Sequence, residues 1–143
     1  MDRWHTRFTV RRRSIRLRGH DYSSPGAYFV TICASSHIFG RVRNGHVVLS
    51  PFGEVARECW TCIPHHFRHV RTDAFVVMPD HLHGILLLTN RHWRAHAIGR
   101  MSPGSLGTVI RSFKSAVASR INSIRGVRSG GIWQRNYFDQ VIR

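Results

Sequence analysis

The segment from Phe75 to Thr89, FVVMPDHLHGILLLT, decides the fold and the functional site of this protein. Pro79-Asp80 separates two apolar runs, and the second run begins with His81 and His83. Apolar runs bounded by turn residues predict buried strands. Because side chains alternate between the two faces of a strand, His81 and His83 are predicted to share one face and Leu82 to point into the core.

The spacing of the two histidines suits a divalent metal ion. A strand rise of about 3.3 Å per residue places their Cα atoms roughly 6.5 Å apart, so both imidazoles can converge on one ion. The alternative is a polar pair at the start of a strand, satisfied by backbone groups, and for an isolated His-x-His the two interpretations are evenly balanced. Since buried polar groups need partners and one metal ion serves both rings, we predict that His81 and His83 are metal ligands.

The length and composition predict one globular domain. The chain has 143 residues, of which 42% are hydrophobic, which is enough for a core. No apolar run has the length of a membrane span, and the N-terminal region lacks the apolar segment of a signal peptide, so we expect a cytoplasmic protein without membrane attachment. Three cysteines, an odd number, argue against a disulfide framework.

The charge of the chain points to a polyanionic partner. There are 22 Lys and Arg residues against 7 Asp and Glu, a net charge of +15, and Lys114 is the single lysine. The planar guanidinium fork suits phosphates and base edges, so nucleic acid is the first candidate partner. Compositional drift would scatter the arginines, whereas here they cluster.

We divide the chain into a basic arm, residues 1–26, and a domain, residues 27–143. The arm supplies the candidate DNA contacts Arg12, Arg16 and Arg18, or else it is a disordered tail.

The first half of the domain predicts a strand, a hairpin and a helix. The β-branched and aromatic run at 27–33 predicts a strand, and Asn44-Gly45 predicts a hairpin with strands near 38–43 and 46–49. A helix is predicted from Pro51 to about Ile63, capped by Ser50 and ended or kinked by Pro64. Its apolar stripe is Val55, Cys59 and Cys62 (or Ile63).

The second half predicts two strands, a long helix and a last strand. The strands lie at about 74–78 and 81–89, separate or joined with a bend, and a polar loop follows at 90–104. A helix at 105–125 is capped by Ser105 and followed by Gly126. Its predicted apolar stripe is Leu106, Val109, Ile110, Phe113, Val117, Ile121 and Ile124.

The opposite face of this helix carries Arg111, with Lys114 at its border, and no acid. We interpret it as a phosphate-binding face, with an ordinary solvated face as the alternative. Its uncharged members are Thr108, Ser112, Ser115, Ser119 and Asn122.

The order of elements predicts an α+β fold. A strand, a hairpin, a helix, one or two strands, a helix and a last strand at 132–143 are typical of a ferredoxin-like sandwich, in which an antiparallel sheet carries two helices on one face. On the last strand, Trp133, Gln134 and Arg135 are candidates for stacking on and hydrogen bonding to exposed bases. Trp133 as a core residue is the equally weighted alternative.

A second candidate metal site is the Cys59-Trp60-Thr61-Cys62 segment, which precedes His65, His66 and His69. Such a cluster is typical of zinc or redox sites. However, there is no second CxxC, and on one helix Cys59 and His69 would lie about 15 Å apart, too far for one ion. We therefore favour core packing for both cysteines.

Taken together, these segments resemble the REP-associated tyrosine transposases, a branch of the single-tyrosine HUH transposases and nicking enzymes. The matching segments, in family order, are RRRSIRLRGHDYSSPGAYFVTIC, FGRVRNG, VVMPDHLHGILLL, SLGTVIRSFKSA and WQRNYFDQVIR. His81-Leu82-His83 is the HUH motif itself. The resemblance covers nearly the whole chain, and the set of motifs together is specific.

The resemblance implies a ferredoxin-like transposase that forms homodimers in a prokaryotic cytoplasm and acts on single-stranded or hairpin DNA rather than on a small molecule. His81 and His83 would hold Mg²⁺ or Mn²⁺, and a tyrosine would attack the scissile phosphate.

In the family that tyrosine lies on a further helix beyond WQRNYFDQVIR, with an amide side chain that helps to hold the metal. The sequence stops at Arg143, so we expect this helix to be missing, and Tyr137 matches a strand position rather than the nucleophile. Asp80 stands where Asn is common. The alternative function is a catalytically inactive nucleic-acid-binding module.

Overall fold

The computed structural model describes residues 16–89 and 104–143. The predicted contact Arg12 and nearly all of the predicted loop 90–104 lie outside these ranges. The described elements, in chain order, are β1 (Gly26–Cys33), β2 (Gly40–Arg43), β3 (His46–Leu49), α1 (Pro51–Thr61), α2 (Ile63–His66), β4 (Val70–Val77), β5 (His81–Leu88), α3 (Leu106–Arg125) and β6 (Phe138–Ile142). No helix within these ranges is long and apolar enough to cross a membrane.

The main sheet has the strand order β4-β5-β1-β6, and every neighbouring pair is antiparallel. Strands β2 and β3 form a separate two-stranded ribbon. One face of the sheet is buried, with Tyr28, Val30 and Ile32 of β1 beside Leu82 and Leu86 of β5. The alternate residues of both strands are only partly buried. The predicted α+β sandwich with an antiparallel sheet is confirmed.

Both long helices pack on the buried face of the sheet. Trp60 of α1 lies edge-to-face against Phe113 of α3, with ring centroids 5.4 Å apart. The Trp60 ring also lies directly over Gly84 of β5, where a Cβ atom would overlap it. The strand residue between the two core positions Leu82 and Leu86 must therefore be a glycine. The other face of the sheet, which carries His83, is left without a helix from the described part of the chain.

The first helix ends earlier than predicted. Ser50 caps α1 as expected, accepting a hydrogen bond from the amide of Gly53 at 3.1 Å. The helix stops at Thr61, and a short second helix carries Pro64 in its first turn, where a missing N–H costs nothing. This break turns Ile63 into the core and leaves Cys62 exposed, so of the two candidates for the stripe, Ile63 is correct and Cys62 is wrong.

The strand before the histidines begins at Val70, four residues before the predicted start. Its ladder with β5 is irregular between Thr72 and Phe75, and Asp73 in the irregular stretch is exposed. A bulge breaks the two-residue alternation from which strands are recognised in a sequence. The strand therefore extends through a stretch that lacks the expected pattern.

Helix α3 matches the prediction except near its end. Ser105 accepts from the amide of Thr108, and Gly126 ends the helix with a left-handed φ of 69°. Asn122, predicted on the outer face, is buried, whereas Ile124, predicted in the core, is 58% exposed. The following loop folds back onto Asn122, whose Nδ2 donates to the carbonyl of Gly130 at 3.4 Å. This contact moves the buried side of the last turn away from Ile124.

The last strand is shorter than predicted. Only residues 138–142 form β6, and Trp133 makes an isolated bridge to Ala34. Between them Asn136 has a φ of 67°, a left-handed conformation that cannot continue a strand. Asparagine tolerates this conformation better than most residues, so the bend is compatible with its sequence.

Candidate metal and nucleic-acid site

His81 and His83 lie side by side on the face of the sheet opposite the helices. Their ring centroids are 4.5 Å apart with an interplanar angle of 72°, and Leu82 between them is fully buried on the other face. The predicted shared face is confirmed. Metal binding by the pair stays a prediction, and the geometry of the rings bears on it directly.

Each imidazole is held through its Nδ1 atom. His81 Nδ1 lies 2.7 Å from a carboxylate oxygen of Asp80, and His83 Nδ1 lies 2.8 Å from the hydroxyl of Thr31. Neither Nε2 atom makes a hydrogen bond with a described residue. Histidines that bind metals are typically oriented by a carboxylate or another polar group on the second nitrogen, with the first nitrogen left for the ion.

Sequence reasoning did not find Thr31 and gave Asp80 only a minor role. Thr31 stands in β1, and only the register of β1 with β5, which pairs Thr31 with His83, brings it to the site. Asp80 is adjacent to His81 in the sequence, so its carboxylate could have been predicted to orient the His81 ring. Its second carboxylate oxygen lies 3.5 Å from Nε2 of the exposed His37.

Backbone hydrogen bonds fix the turn that carries His81. The carbonyl of Asp80 accepts from the amide of Ala34 at 2.8 Å, and the carbonyl of Pro79 accepts from the amide of Phe39 at 2.9 Å. The amide of Met78 donates to His81 at 2.7 Å and closes the turn. The site is thus built on a strand start that three separate segments hold in place, as precise ligand geometry requires.

The environment of His83 favours the neutral form of its imidazole. Partial burial lowers the pKa of His83 below its usual range, and the neighbouring His81 lowers it further. The ring of Phe29 stacks on His83, with centroids 5.4 Å apart. A neutral imidazole is the form that binds a metal ion, so this environment favours a ligand role at neutral pH.

The histidine pair by itself would form only part of a metal site. Among the described residues there is no group of three or more His, Cys, Asp or Glu side chains that could hold a metal ion. Mg²⁺ commonly keeps several waters and takes the phosphate oxygens of its substrate as ligands. Two Nε2 atoms without a hydrogen bond to any described residue therefore fit a divalent ion whose remaining positions are filled by water and a bound phosphate.

The geometry does not support a zinc site at the CxxC segment. Cys59 is buried and lies 3.6 Å from a guanidinium nitrogen of Arg120, whereas Cys62 is exposed. His69 Nε2 is 2.8 Å from the carbonyl of Gly104. The two sulfurs and the ring thus have separate surroundings. The predicted core packing is correct for Cys59 and wrong for Cys62, because the chain turns after Thr61 and leaves Cys62 exposed.

The segment containing Trp133, Gln134 and Arg135 lies across β1 from His81. The amide of Gln134 donates to the carbonyl of Cys33, and Cys33 pairs with His81 in the sheet. Arg135 is exposed there. The ring of Trp133 instead packs against Phe39 and Phe113, and its N–H donates to the carbonyl of Lys114 at 2.9 Å, which is the core alternative.

Two of the predicted DNA contacts are already engaged within the protein. Lys114 donates to the carbonyls of Gln134 and Asn136 at 2.9 and 3.1 Å, and burial lowers its pKa. Arg16 donates to the hydroxyl of Tyr137 at 3.2 Å and lies over the ring of Tyr22. Both cations connect separate parts of the chain, and the predicted contacts Arg18 and Arg111 are exposed.

None of the three tyrosines in the chain lies at the histidine face. Tyr28 is buried in the core, and Tyr22 and Tyr137 pack against that core on the helix-covered side. Burial raises the pKa of Tyr137, which disfavours the phenolate form. These positions argue against Tyr137 as a nucleophile for a phosphate bound at His81 and His83.

Comparisons with known proteins agree with this architecture. No family model matches the chain. The chain is 37% identical over 146 residues to an uncharacterized protein of Haemophilus influenzae, and the match covers 92% of this chain and 79% of that protein. This is a relationship to a protein without a described activity.

Two solved structures share the fold. A REP-associated tyrosine transposase bound to a REP hairpin superposes with a TM-score of 0.56 at 17% identity, over 90% of this chain and 63% of that one. A "putative transposase" of Deinococcus radiodurans gives a TM-score of 0.53 at 16% identity, over 90% and 85%. The chain therefore spans less than two thirds of the length of the hairpin-bound transposase. It belongs to the same protein family as the Haemophilus influenzae protein, and it has a transposase-like fold.

Proposed function

We propose that this chain is a DNA transposase domain that binds single-stranded or hairpin DNA at a divalent metal ion held by His81 and His83. The observation that carries the proposal is the pair of neighbouring imidazoles on the open sheet face, each held through Nδ1 and with no hydrogen bond from Nε2 to a residue in 16–89 or 104–143. The transposase-like fold and the excess of arginine support it. The metal is Mg²⁺ or Mn²⁺.

The residues of this chain position the phosphate of the DNA. The divalent ion supplies Lewis-acid polarisation of the scissile phosphate when it is bound. Asp80 and Thr31 orient the two rings through Nδ1. Both Nε2 atoms therefore already point in the direction needed to bind the ion, and neither ring has to rotate first. The reaction that such a site would support is a transesterification, in which a tyrosine oxygen bonds to phosphorus, the phosphorus–O3′ bond breaks, and the phenolic proton passes to the departing 3′ oxygen. The products are a 5′-phosphotyrosine and a free 3′ end.

We assign the nucleophile to no tyrosine of this sequence, because all three lie on the helix-covered side. The experiment incubates the protein with Mn²⁺ and a DNA hairpin that carries single-stranded flanks, and looks for a covalent adduct on a denaturing gel. The expected result is metal-dependent binding of the flanked hairpin without an adduct to Tyr137. An adduct that disappears in Tyr137→Phe would contradict our placement of the nucleophile, and binding indifferent to Mn²⁺ would favour the inactive nucleic-acid-binding module.

The remaining parts of the proposal concern the partners. The exposed Arg18, Arg111 and Arg135 contact the DNA backbone, and the protein acts as a homodimer. Light scattering of the purified protein, with and without the hairpin, measures the oligomeric state directly. A monomer under both conditions would remove the dimer from the proposal and leave the metal site intact.

Binding of Mn²⁺ is expected to weaken as the pH falls. The ion needs neutral imidazoles, and protons compete with it for Nε2 once the pH drops below the pKa of the ring. Because the folded protein lowers the pKa of His83, that ring stays available to the ion at pH values where a free histidine would be protonated. Calorimetric titrations between pH 5 and 8 are expected to show a plateau near neutrality and a loss of affinity on acidification. Affinity that rises as the pH falls would contradict histidine ligation.

A further inference from the structure

The ribbon formed by β2 and β3 presents a basic face that nothing in the described structure covers. The register pairs Arg41 with Val48 and Arg43 with His46, so these four side chains share one face. All four are exposed, and Val48 is 45% exposed although it is apolar. Neither arginine makes a hydrogen bond or ion pair with a described residue. Residues 40–49 contain no acid.

The ribbon is a regular hairpin with a tight turn at its tip and a close-packed base. Its tip, Asn44-Gly45, has φ values of 50° and 75°, the left-handed pair required by a tight two-residue turn. At its base Gly40 packs against the backbone of Val48 so closely that a Cβ atom would not fit. The amide of Ser50 closes the base with a 2.9 Å hydrogen bond to Phe39, whose ring is buried in the core. Four residues per strand give a projection of about 13 Å.

The base of the ribbon is joined to the turn that carries the histidines. The amide of Phe39, the residue before β2, donates to the carbonyl of Pro79, two residues before His81. The base of the ribbon and the turn before His81 are therefore hydrogen-bonded neighbours in the fold. Because of this hydrogen bond, one DNA molecule can contact both the ribbon and the histidine site.

We propose that the ribbon enters the major groove of a DNA duplex stem and positions that stem next to the histidine site. This inference rests on the proposed function, and it names the part of the DNA that a surface outside the histidine site recognises. The major groove of B-form DNA admits a two-stranded ribbon, where arginines pair with guanine edges and an apolar side chain contacts the thymine methyl group. Arg41, Arg43 and Val48 provide these two kinds of contact on one face.

The chemistry of the ribbon favours DNA over a duplex of RNA. The major groove of A-form RNA is too deep and narrow for side chains to read, so a two-stranded ribbon cannot bind in it. A single-stranded segment offers phosphates but no groove. The proposal therefore predicts that the protein binds a DNA stem more tightly than an RNA stem or a single strand. Substitution of the ribbon arginines should remove this difference in affinity.

The test compares the wild-type protein with the double variant Arg41→Ala/Arg43→Ala by fluorescence anisotropy. The probes are a DNA hairpin with a duplex stem, an unstructured single strand of equal length, and an RNA hairpin of the same sequence. The affinity of the variant for the DNA hairpin is expected to fall at least tenfold, with at most a twofold change for the single strand. The salt dependence for the hairpin should lose up to about two units of slope if the arginines also neutralise phosphates.

The matched control is Arg68→Ala/Arg71→Ala, which removes the same charge at the opposite end of the sheet, where Arg71 pairs with Leu87. Equal losses for hairpin and single strand, or the same hairpin loss in the control, would overturn the ribbon proposal. An equal loss for the RNA hairpin would overturn the major-groove assignment. All variants should unfold at the wild-type temperature.

A further variant separates this proposal from the proposed function. His81→Ala/His83→Ala should bind the DNA stem with the ribbon-dependent preference retained but without any response to Mn²⁺. If the stem preference is present and the wild-type protein shows no metal response, the transposase proposal fails and the ribbon proposal stands. If metal-dependent binding is present and the ribbon variant behaves as wild type, only the ribbon proposal fails.

Discussion

Replacing His81 or His83 with alanine is expected to abolish measurable Mn²⁺ binding and all metal-dependent binding of the flanked hairpin. The described part of the chain offers two imidazole nitrogens and no third clustered ligand, so each substitution removes half of the ligands that these residues offer to the ion. Loss of a single supporting residue around a metal typically costs 10- to 100-fold in affinity, and loss of a ligand costs more. Calorimetry with Mn²⁺ and a matched titration with Mg²⁺ measure the effect.

The supporting residues provide graded variants of the same experiment. Asp80→Asn keeps an acceptor next to His81 but removes the charge, and Thr31→Val removes the hydroxyl beside His83 while keeping the shape. Each is expected to weaken Mn²⁺ binding by about 10- to 100-fold without abolishing it. His65→Ala, at an exposed histidine of α2, is the control and should leave the affinity unchanged. Equal effects of His65→Ala and His81→Ala would mean that the observed binding is not at the pair.

Replacing Gly84 with valine is expected to destabilise the fold by about 3 kcal/mol, the upper end of the usual cost of overpacking a core. A Cβ atom at this position would overlap the ring of Trp60, which is fully buried and held against Phe113. The ring therefore cannot move aside without disturbing the contact between the two helices. Urea unfolding followed by tryptophan fluorescence measures the change in the free energy of unfolding.

Two further variants test whether the contact with Trp60 is the cause. Adding Trp60→Leu to Gly84→Val makes space for the new side chain, so the double variant should be less destabilised than the sum of the two single variants. Gly131→Ala is the control, because a Cβ atom there would meet nothing within 4 Å and its stability should be close to wild type. Strict additivity of the two core substitutions would show that the strain lies elsewhere.

Much of the local structure follows from short-range patterns in the sequence. Alternation over His81-Leu82-His83 predicted a shared face for the histidines because the side-chain period of a strand is two, whatever the rest of the fold does. Asn44-Gly45 predicted the ribbon, and Ser50 and Ser105 predicted the helix starts, because each supplies a specific backbone conformation or hydrogen bond. These features depend on neighbours within a few residues.

Other features were decided by contacts between distant parts of the chain. Helix α1 ends early because a second short helix follows it, and Asn122 is buried because the loop after α3 folds back onto it. The periodicity of a helix does not indicate where the next segment packs. The last strand was predicted too long because the left-handed conformation of Asn136 is supported by Lys114, which is 22 residues away. Local propensity gave no indication of this bend.

The sequence by itself determined the candidate ligands and their common face, since both are properties of three consecutive residues. Only the tertiary structure decided how those ligands are oriented. The pairing of β1 with β5 brings Thr31 to His83, and the tied turn holds Asp80 against His81. The helices cover one side of the sheet and leave the histidines on the other, because Trp60 and Phe113 can bury their rings only on the face that carries Gly84 and Leu82.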